Sequence, residues 1–165
     1  DEIEIKPGIM NEKNKSYEPI HTEITSLGTA AGIVESVKPG GLVAIGTKLD
    51  PSMTRSDSFI GSVIGKPGTL PDNSTLLKLD VNLFDSAVGS TVDSSEDLQV
   101  KPIQMGELLR LNIGTAPVLG KVTKVKSSNV EIELRRPACI FENGRVAISR
   151  RIAERWRLIG AGIVG

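Results

Sequence analysis

The sequence predicts an all-β protein with about ten short strands, built as sandwiches or barrels. Three observations lead to this prediction. Apolar and polar residues alternate in short runs, which is the periodicity of a strand with one buried face. Glycine and proline together supply 26 of the 165 residues (17 and 9), and they punctuate the chain at regular intervals. Aromatic residues make up only 3% of the chain, and helical periodicity is nearly absent.

In the first part of the chain, the clearest strand is the N-terminal run in which Ile3 and Ile5 alternate with charged residues. The Pro7-Gly8 pair that follows predicts the end of that strand. Further strands are predicted at residues 19–25, 41–46 and 59–65, and one helical turn at residues 50–56.

The alternation is stronger in the second part of the chain, where Leu, Val and Ile recur at every second position. It predicts strands at residues 77–83, 109–113, 119–126, 130–134, 146–148 and 155–164. One helical turn is expected at residues 152–155. Cys139 lies in the apolar run PACIF, which indicates a small core residue.

The boundary between domains is predicted in the sequence KPGTLPDNS, residues 66–74. Its two prolines and one glycine are typical of a stiff connector. We therefore predict two domains, residues 1–70 and residues 71–165. The acidic, Ser-rich stretch over residues 88–100 predicts a long exposed loop.

Charge is distributed unevenly although the formal net charge is zero. Residues 1–100 carry 8 Lys and Arg against 15 Asp and Glu, a net of −7, and the remainder carries 12 against 5, a net of +7. Five of the nine arginines fall within the last 22 residues: Arg145, Arg150, Arg151, Arg155 and Arg157. Clustered guanidinium groups bind phosphate or carboxylate-rich surfaces. The alternative is that Arg150 and Arg151 only form ion pairs, with Glu131, Glu133 and Glu154 as the acids.

Catalytic chemistry is largely excluded by the residues present. His21 is the only histidine and Cys139 the only cysteine, so a His/Cys zinc site and an internal disulfide are not expected. A phosphate-binding loop of the G-x-x-x-x-G-K-[ST] type is also missing. We therefore expect no enzyme activity in this chain. No apolar run reaches about 18 residues and no signal peptide is recognisable, so we expect no membrane association and a cytoplasmic location. The chain starts at Asp1, which we interpret as a cut inside a larger protein.

Three motifs resemble the β-barrel domains that follow the G domain in translational GTPases. They are DEIEIKPG at residues 1–8, GSVIGKPGTLP at residues 61–71 and RVAISRRIAERWRLIGAGIV at residues 145–164. Within that superfamily the chain resembles the gamma subunits of archaeal and eukaryotic translation initiation factor 2. The motifs that select this family are KPGGLVAIGTKLDPSMTRSD at residues 38–57, LRLNIGTAPVLGKVTKV at residues 109–125 and ISRRIAERWRLIGAGIV at residues 148–164.

The resemblance implies two antiparallel β-barrels, an incomplete domain II whose N-terminal strands are missing and a domain III. It also implies that the parent is a GTPase whose GTP and magnesium bind in a G domain absent here, so no cofactor is expected in this chain. Such a parent delivers methionylated initiator tRNA to the small ribosomal subunit. The alpha subunit docks on domain II, which we expect to involve loops at residues 10–18 and 28–37. The beta subunit docks mainly on the missing G domain.

Candidate tRNA contacts follow from the resemblance together with charge and backbone chemistry. Glycines allow close backbone approach to an aminoacyl end, and cations hold phosphates in a salt-dependent manner. The candidates are Gly40, Gly41, Gly46, Lys48, Arg55, Lys66, Arg150, Arg151, Arg155 and Arg157. We assign the C-terminal arginines partly to tRNA and partly to a seam between the domains. Two alternatives remain open, an elongation-type factor such as the selenocysteine-specific elongation factor, and a purely structural β-barrel module.

Overall fold

The computed structural model describes residues 1–38, 40–88 and 99–165, and these residues form a nearly all-β chain, as predicted. The strands are β1 (Glu2–Asn11), β2 (Ser16–Thr29), β3 (Gly32–Val34), β4 (Ala44–Thr47), β5 (Val63–Gly65), β6 (Asn73–Leu83), β7 (Leu108–Ile113), β8 (Ala116–Lys126), β9 (Asn129–Cys139), β10 (Arg145–Ile152) and β11 (Arg155–Val164). A 3-10 helical segment covers Pro51–Asp57, where one helical turn was predicted. Most of the predicted loop at residues 88–100 lies outside the described residues.

The chain divides into two compact units, Asp1–Leu70 and Pro71–Gly165. In the first unit the strands follow the order β3-β2-β1-β5, with β4 also paired to β2, so the sheet stays open within the described residues. In the second unit six strands close into a barrel in the order β10-β11-β6-β9-β8-β7, with β7 returning to β10. All these pairings are antiparallel, which confirms the predicted antiparallel β-barrel class.

The core of the barrel is made by the alternating apolar positions of its strands. Leu77, Leu111, Ile132 and Ile148 are fully buried, each with 0% of its surface exposed. Because successive side chains of a strand point to opposite faces, the period-2 pattern in the sequence becomes one filled interior. Cys139 is also buried, at 6% exposure, as the sequence predicted.

The stretch of strand β1 from Ile3 to Lys6 is buried on both faces, which its alternating sequence does not reveal. Ile3 and Ile5 are 5% and 4% exposed, and the charged residues between and after them, Glu4 and Lys6, are just as buried, at 5% and 6%. A turn at residues 66–70 covers these two charged side chains. The backbone N–H of Gly68 donates to Glu4 Oε2 at 3.2 Å, and Lys6 Nζ donates to the carbonyl of Leu70 at 3.3 Å. Lys6 Nζ also lies 3.6 Å from Glu4 Oε1.

The predicted connector therefore begins as part of the first unit rather than as a free linker. Leu70 packs so closely on Gly65 that a Cβ at this glycine would lie 2.6 Å from Leu70 Cδ2. The Lys66 carbonyl accepts hydrogen bonds from the Thr69 backbone N–H at 3.0 Å and from the Thr69 hydroxyl at 2.7 Å, which closes the turn. Proline and glycine here serve a tight turn that returns onto β1.

Several local predictions are wrong, among them the strand at residues 59–65, of which only Val63–Gly65 is a strand. Pro7-Gly8 does not end β1, because the strand passes through a register irregularity between Ile5 and Ile9 and continues to Asn11. Residues 152–155 form no helical turn but the tight turn of the β10–β11 hairpin, in which Ile152 pairs with Arg155. The three-residue strand β3 was not predicted, since it is too short to show a period.

Candidate nucleic-acid interface

Four of the predicted arginines lie at the turn end of the β10–β11 hairpin, which we call the arginine tip, and the strand register places Arg151 on the face opposite to the other three. Its members are Arg150, Arg151, Arg155 and Arg157. Arg150 lies opposite Arg157, and Arg151 lies opposite Trp156. Arg145 pairs with Ile163 at the other end of the hairpin. Five residues of strand correspond to about 16 Å, so Arg145 is not part of the cluster.

Arg150 is bound by the barrel itself. Its Nε donates to Glu107 Oε1 at 2.5 Å and its Nη2 donates to Glu107 Oε2 at 3.1 Å. Its remaining bonds are to the carbonyls of Lys101 at 2.8 Å and Pro102 at 3.3 Å. The two charged side chains are only 16% and 19% exposed. Bidentate pairing of this kind is strong and geometrically specific.

The Arg150–Glu107 pair closes one end of the barrel. Glu107 directly precedes β7, and its carboxylate also accepts the backbone N–H of Gln104 at 3.1 Å. The segment it holds inserts Ile103, 7% exposed, into the core. An open cleft of about 370 Å³ lies beside the pair, lined by Lys101, Pro102, Gln104, Met105, Glu107 and Arg150. Among the described residues this geometry gives Arg150 a structural partner, and its predicted contact to tRNA stays a prediction.

Sequence reasoning missed Glu107 as the partner of Arg150, although one of the acids it proposed, Glu154, does pair with Arg151. Glu131 instead pairs with Lys124 on the neighbouring strand, with its Oε1 3.5 Å from Lys124 Nζ. A signal for Glu107 was present, because it is the only acidic residue between Lys101 and Val130, a stretch rich in Lys. A single carboxylate in a basic region is a natural partner for a guanidinium group that folding draws inward.

The other members of the arginine tip differ in environment. The guanidinium of Arg151 contacts the carboxylate of Glu154, and both side chains are well exposed, at 57% and 86%. Arg155 is exposed and forms no ion pair with any residue that the structure describes, whereas Arg157 is half-buried. An exposed pair such as Arg151–Glu154 contributes about 0–1 kcal/mol. The tip therefore offers cations that a phosphate can reach.

The glycine candidates of the first unit lie in two settings. Gly40 and Gly41 belong to the exposed connection between β3 and β4, with φ angles of +112° and +80° and open space where a Cβ would stand. Gly46 lies within β4, where a Cβ would overlap the hydroxyl of Ser26 on β2. A side chain at position 46 would therefore make the Ser26 hydroxyl move, while the other two glycines leave the backbone open to close approach.

The cation candidates of the first unit also differ. The ammonium of Lys48 pairs with Glu23 at the surface, and the hydrogen bond with Lys48 is the main cause that lowers the pKa of the Glu23 carboxyl. Arg55 lies in the 3-10 segment and Lys66 in the turn that covers β1, and both are exposed. Neither forms an ion pair with a residue in the described ranges. Arg55 and Lys66 are therefore the most available cations of this unit.

The segments predicted to dock an alpha subunit are both parts of hairpins. Residues 10–18 comprise the ends of β1 and β2 and the turn between them. Residues 28–37 were expected to be a loop but contain the end of β2 and the whole of β3. Ile33 on β3 is 86% exposed and Met10 on β1 is 54% exposed. Docking of an alpha subunit at either segment stays a prediction.

The turn at residues 10–18 is ordered by one carboxylate. Glu18 Oε1 accepts from Asn11 Nδ2 at 2.8 Å and from Asn14 Nδ2 at 3.0 Å. The side-chain oxygen of Asn14 in turn accepts the backbone N–H of Ser16 at 3.1 Å. Chiefly the Asn14 hydrogen bond, and then that of Asn11, lowers the pKa of the Glu18 carboxyl below its ordinary value.

We expect the order of this turn to be lost in acid. A lowered pKa means that the ionised Glu18 is favoured by the folded turn, so its contribution is fully present above the ordinary carboxyl pKa and disappears as pH falls through the lowered value. NMR titration of the Glu18 side-chain carbon measures this pKa directly. Asn14→Ala should raise it more than Asn11→Ala does, and Asn129→Ala in the barrel should leave it unchanged. An equal Glu18 pKa in the unaltered chain and in all three variants would contradict the assignment.

No group of three or more His, Cys, Asp and Glu side chains among the described residues is arranged to hold a metal ion. Within the same residues, no helix has the length and apolar character needed to cross a membrane.

Comparison with known proteins gives consistent matches. The family model described as "Initiation factor eIF2 gamma, C terminal" matches residues 75–164. Curated proteins named translation initiation factor 2 subunit gamma are similar over 99% of this chain, with 48% identity in Archaeoglobus fulgidus, 47% in Aeropyrum pernix and 49% in Pyrococcus furiosus. The chain spans 38%, 39% and 39% of the length of these three relatives.

Proposed function

This chain belongs to the family of translation initiation factor 2 gamma subunits, and on that basis we propose that it forms the β-barrel platform with which such a subunit holds methionylated initiator tRNA for the small ribosomal subunit. One observation supports the proposal above all. Over 99% of the chain, nearly half of the residues are identical to those of proteins named translation initiation factor 2 subunit gamma. The relatives favour an initiation-factor role over the elongation-factor alternative.

The activity of a whole gamma subunit extends beyond these residues. We propose that GTP and magnesium bind in a part of the protein that this chain does not contain, and that GTP hydrolysis takes place there. The same reasoning assigns the beta subunit mainly to that part and the alpha subunit to the first unit of this chain. The place of action of the assembly is the cytoplasm, where small ribosomal subunits are found.

Charge and exposure rank the proposed tRNA contacts. Arg55, Lys66 and Arg155 are exposed and form no ion pair with any described residue, so phosphates can reach them without displacing an acid. Lys48 and Arg151 can bind a phosphate only after their ion pairs with Glu23 and Glu154 are broken. We assign to Arg150 the role of a positioning residue, because its donors hold the end of the barrel beneath the arginine tip.

A salt titration of tRNA binding tests the proposal. We expect the 165-residue chain to bind initiator tRNA in filter-binding assays with an affinity that falls linearly on a log–log plot between about 50 and 200 mM salt. Arg55→Ala and Arg155→Ala should each weaken binding and reduce the slope by about 1, as expected for the loss of one phosphate contact. Lys126→Ala removes the same charge from an exposed site on β8 outside the candidate set and serves as the matched control.

A chain that binds no tRNA at the lowest salt concentration would refute the platform. If Lys126→Ala weakens binding as much as Arg55→Ala, the attraction is a general effect of charge and the named sites are wrong. The structural alternative has one specific observation in its favour, the bonding of Arg150 within the barrel. It predicts that all these variants bind RNA equally poorly.

A further inference from the structure

The turn of the arginine tip has an unusual backbone for its residues. Ala153 and Glu154 form the two-residue connection between β10 and β11, and both have positive φ angles, 46° and 63°. Two-residue hairpin turns with this conformation strongly prefer Asn-Gly or Asp-Gly. A residue with a Cβ is sterically disfavoured in the left-handed region. The turn thus carries strain, and strain of this kind often accompanies a functional constraint.

The side chain of Glu154 forms an ion pair, which gives a glutamate a role at this turn position. Its carboxylate pairs with the guanidinium of Arg151. Glu154 is thus an acidic residue in the turn of a hairpin that carries four arginines. Carboxylate and phosphate oxygens compete for the same guanidinium donors. Glu154 is only three residues from Arg151, so the carboxylate is always present at high local concentration.

The contact is nevertheless weak enough to be displaced. Arg151 and Glu154 are 57% and 86% exposed, so water and salt screen their attraction. The Arg150–Glu107 pair, by contrast, is mostly buried and makes further backbone bonds. Of the two arginines in the tip whose carboxylate partners lie among the described residues, Arg151 is therefore the one that can exchange its partner.

We propose that Glu154 is an internal competitor that occupies the RNA-phosphate position on Arg151, so that Arg151 binds an RNA phosphate only after this carboxylate is displaced. The proposal rests on the function proposed above and adds to it a residue that limits affinity. Such a competitor discriminates against weak anionic ligands, because a single contact scarcely repays the loss of the pair, whereas a ligand that engages several cations does so readily. The phosphate can come from transfer RNA or from ribosomal RNA.

The only tryptophan of the chain is a suitable reporter. Trp156 lies directly opposite Arg151 in the hairpin, so its fluorescence should respond when the guanidinium changes partner. Inorganic tripolyphosphate serves as the first probe, because it presents phosphate without RNA structure. The variants are Glu154→Gln, which keeps the side-chain length, and Glu154→Asn, which tolerates positive φ better and so guards against a failure to fold. Glu142→Gln is the matched control, since it removes an exposed carboxylate from the β9–β10 connection of the same unit.

Both neutral variants should bind tripolyphosphate about two- to five-fold more tightly than the unaltered chain, as expected for release of an exposed ion pair. The gain should vanish in Arg151→Ala/Glu154→Gln, and Glu142→Gln should not show it. Unchanged affinity in both Glu154 variants, an equal gain in Glu142→Gln, or no binding by any of these proteins would each overturn the proposal.

Initiator tRNA and small-subunit ribosomal RNA are then titrated separately to identify the phosphate source. The RNA for which Glu154→Gln steepens the salt dependence by about 1 is the ligand of the tip. If tripolyphosphate shows the gain but initiator tRNA is not bound at all, the competitor role stands and the tRNA platform fails. If tRNA binds equally well to every Glu154 variant and tripolyphosphate shows no gain, the platform stands and the competitor role fails.

Discussion

Replacement of Arg150 by alanine is expected to lower the free energy of unfolding of the barrel by about 2–4 kcal/mol, because it leaves the Glu107 carboxylate largely buried without its partner. The carbonyls of Lys101 and Pro102 lose donors in the same step. For a unit of this size the change corresponds to a fall in melting temperature of about 10–20 °C. We expect the segment that carries Ile103 to detach from the end of the barrel first.

Thermal and urea unfolding followed by the fluorescence of Trp156 measure this effect. Arg151→Ala is the matched control, since it removes the same side chain from the neighbouring position, where the partner is exposed. It should change stability by less than about 1 kcal/mol. The double variant Glu107→Ala/Arg150→Ala should lose less free energy of unfolding than the two single variants lose in sum. Similar small losses for Arg150→Ala and Arg151→Ala would show that the Glu107 pair does not hold the barrel end.

Replacement of Gly8 by alanine is expected to destabilise the first unit by about 3–5 kcal/mol. The backbone of Gly8 has a φ of +85°, and its Cβ would overlap the carbonyl oxygen of Glu18 and lie 2.9 Å from the Cα of Pro19. These neighbours are backbone atoms of β2, which cannot rotate aside as a side chain would. The β1–β2 pairing must therefore separate around the Ile9–Glu18 pair.

Amide hydrogen exchange across β1 and β2 reports on this pairing. Protection of these amides should fall by about a hundredfold or more in Gly8→Ala. Gly41→Ala is the control, because Gly41 has a nearly identical φ of +80° but open space around the position of the new methyl group. It carries the backbone strain without the overlap, and should cost about 1–2 kcal/mol locally. Equal losses in the two variants would mean that the overlap is relieved at little cost.

The sequence predicted the strands well wherever one face of a strand meets an apolar interior. The runs at residues 77–83 and 109–113 became β6 and β7, because alternation is a direct record of which face is buried. Prediction from alternation failed where a strand is covered by residues distant in sequence. The polar positions of β1 are covered by a turn more than 60 residues away, and no local pattern encodes that contact.

The candidate site was predictable in its residue types but not in its pairings. The density of arginine near the C-terminus identified the arginine tip, and antiparallel register then brought Arg150 and Arg157 face to face. Choosing among carboxylates required the barrel to close, because Glu107 is 43 residues from Arg150 in sequence. The turn at Ala153–Glu154 was mistaken for a helical turn because neither residue is typical of a hairpin connection.

The turn at residues 66–70 has a consequence for the order in which the first unit can fold. Its bonds to Glu4 and Lys6 span 64 residues, so they belong to the contacts of highest sequence separation in that unit. Closing so long a loop is entropically unfavourable until other pairings have brought its ends together. The β1–β2 hairpin can form early, while both charged side chains are still hydrated. Only when the chain has been synthesised through Leu70 can Glu4 and Lys6 leave water, and during translation this makes their burial one of the last steps in assembling the unit.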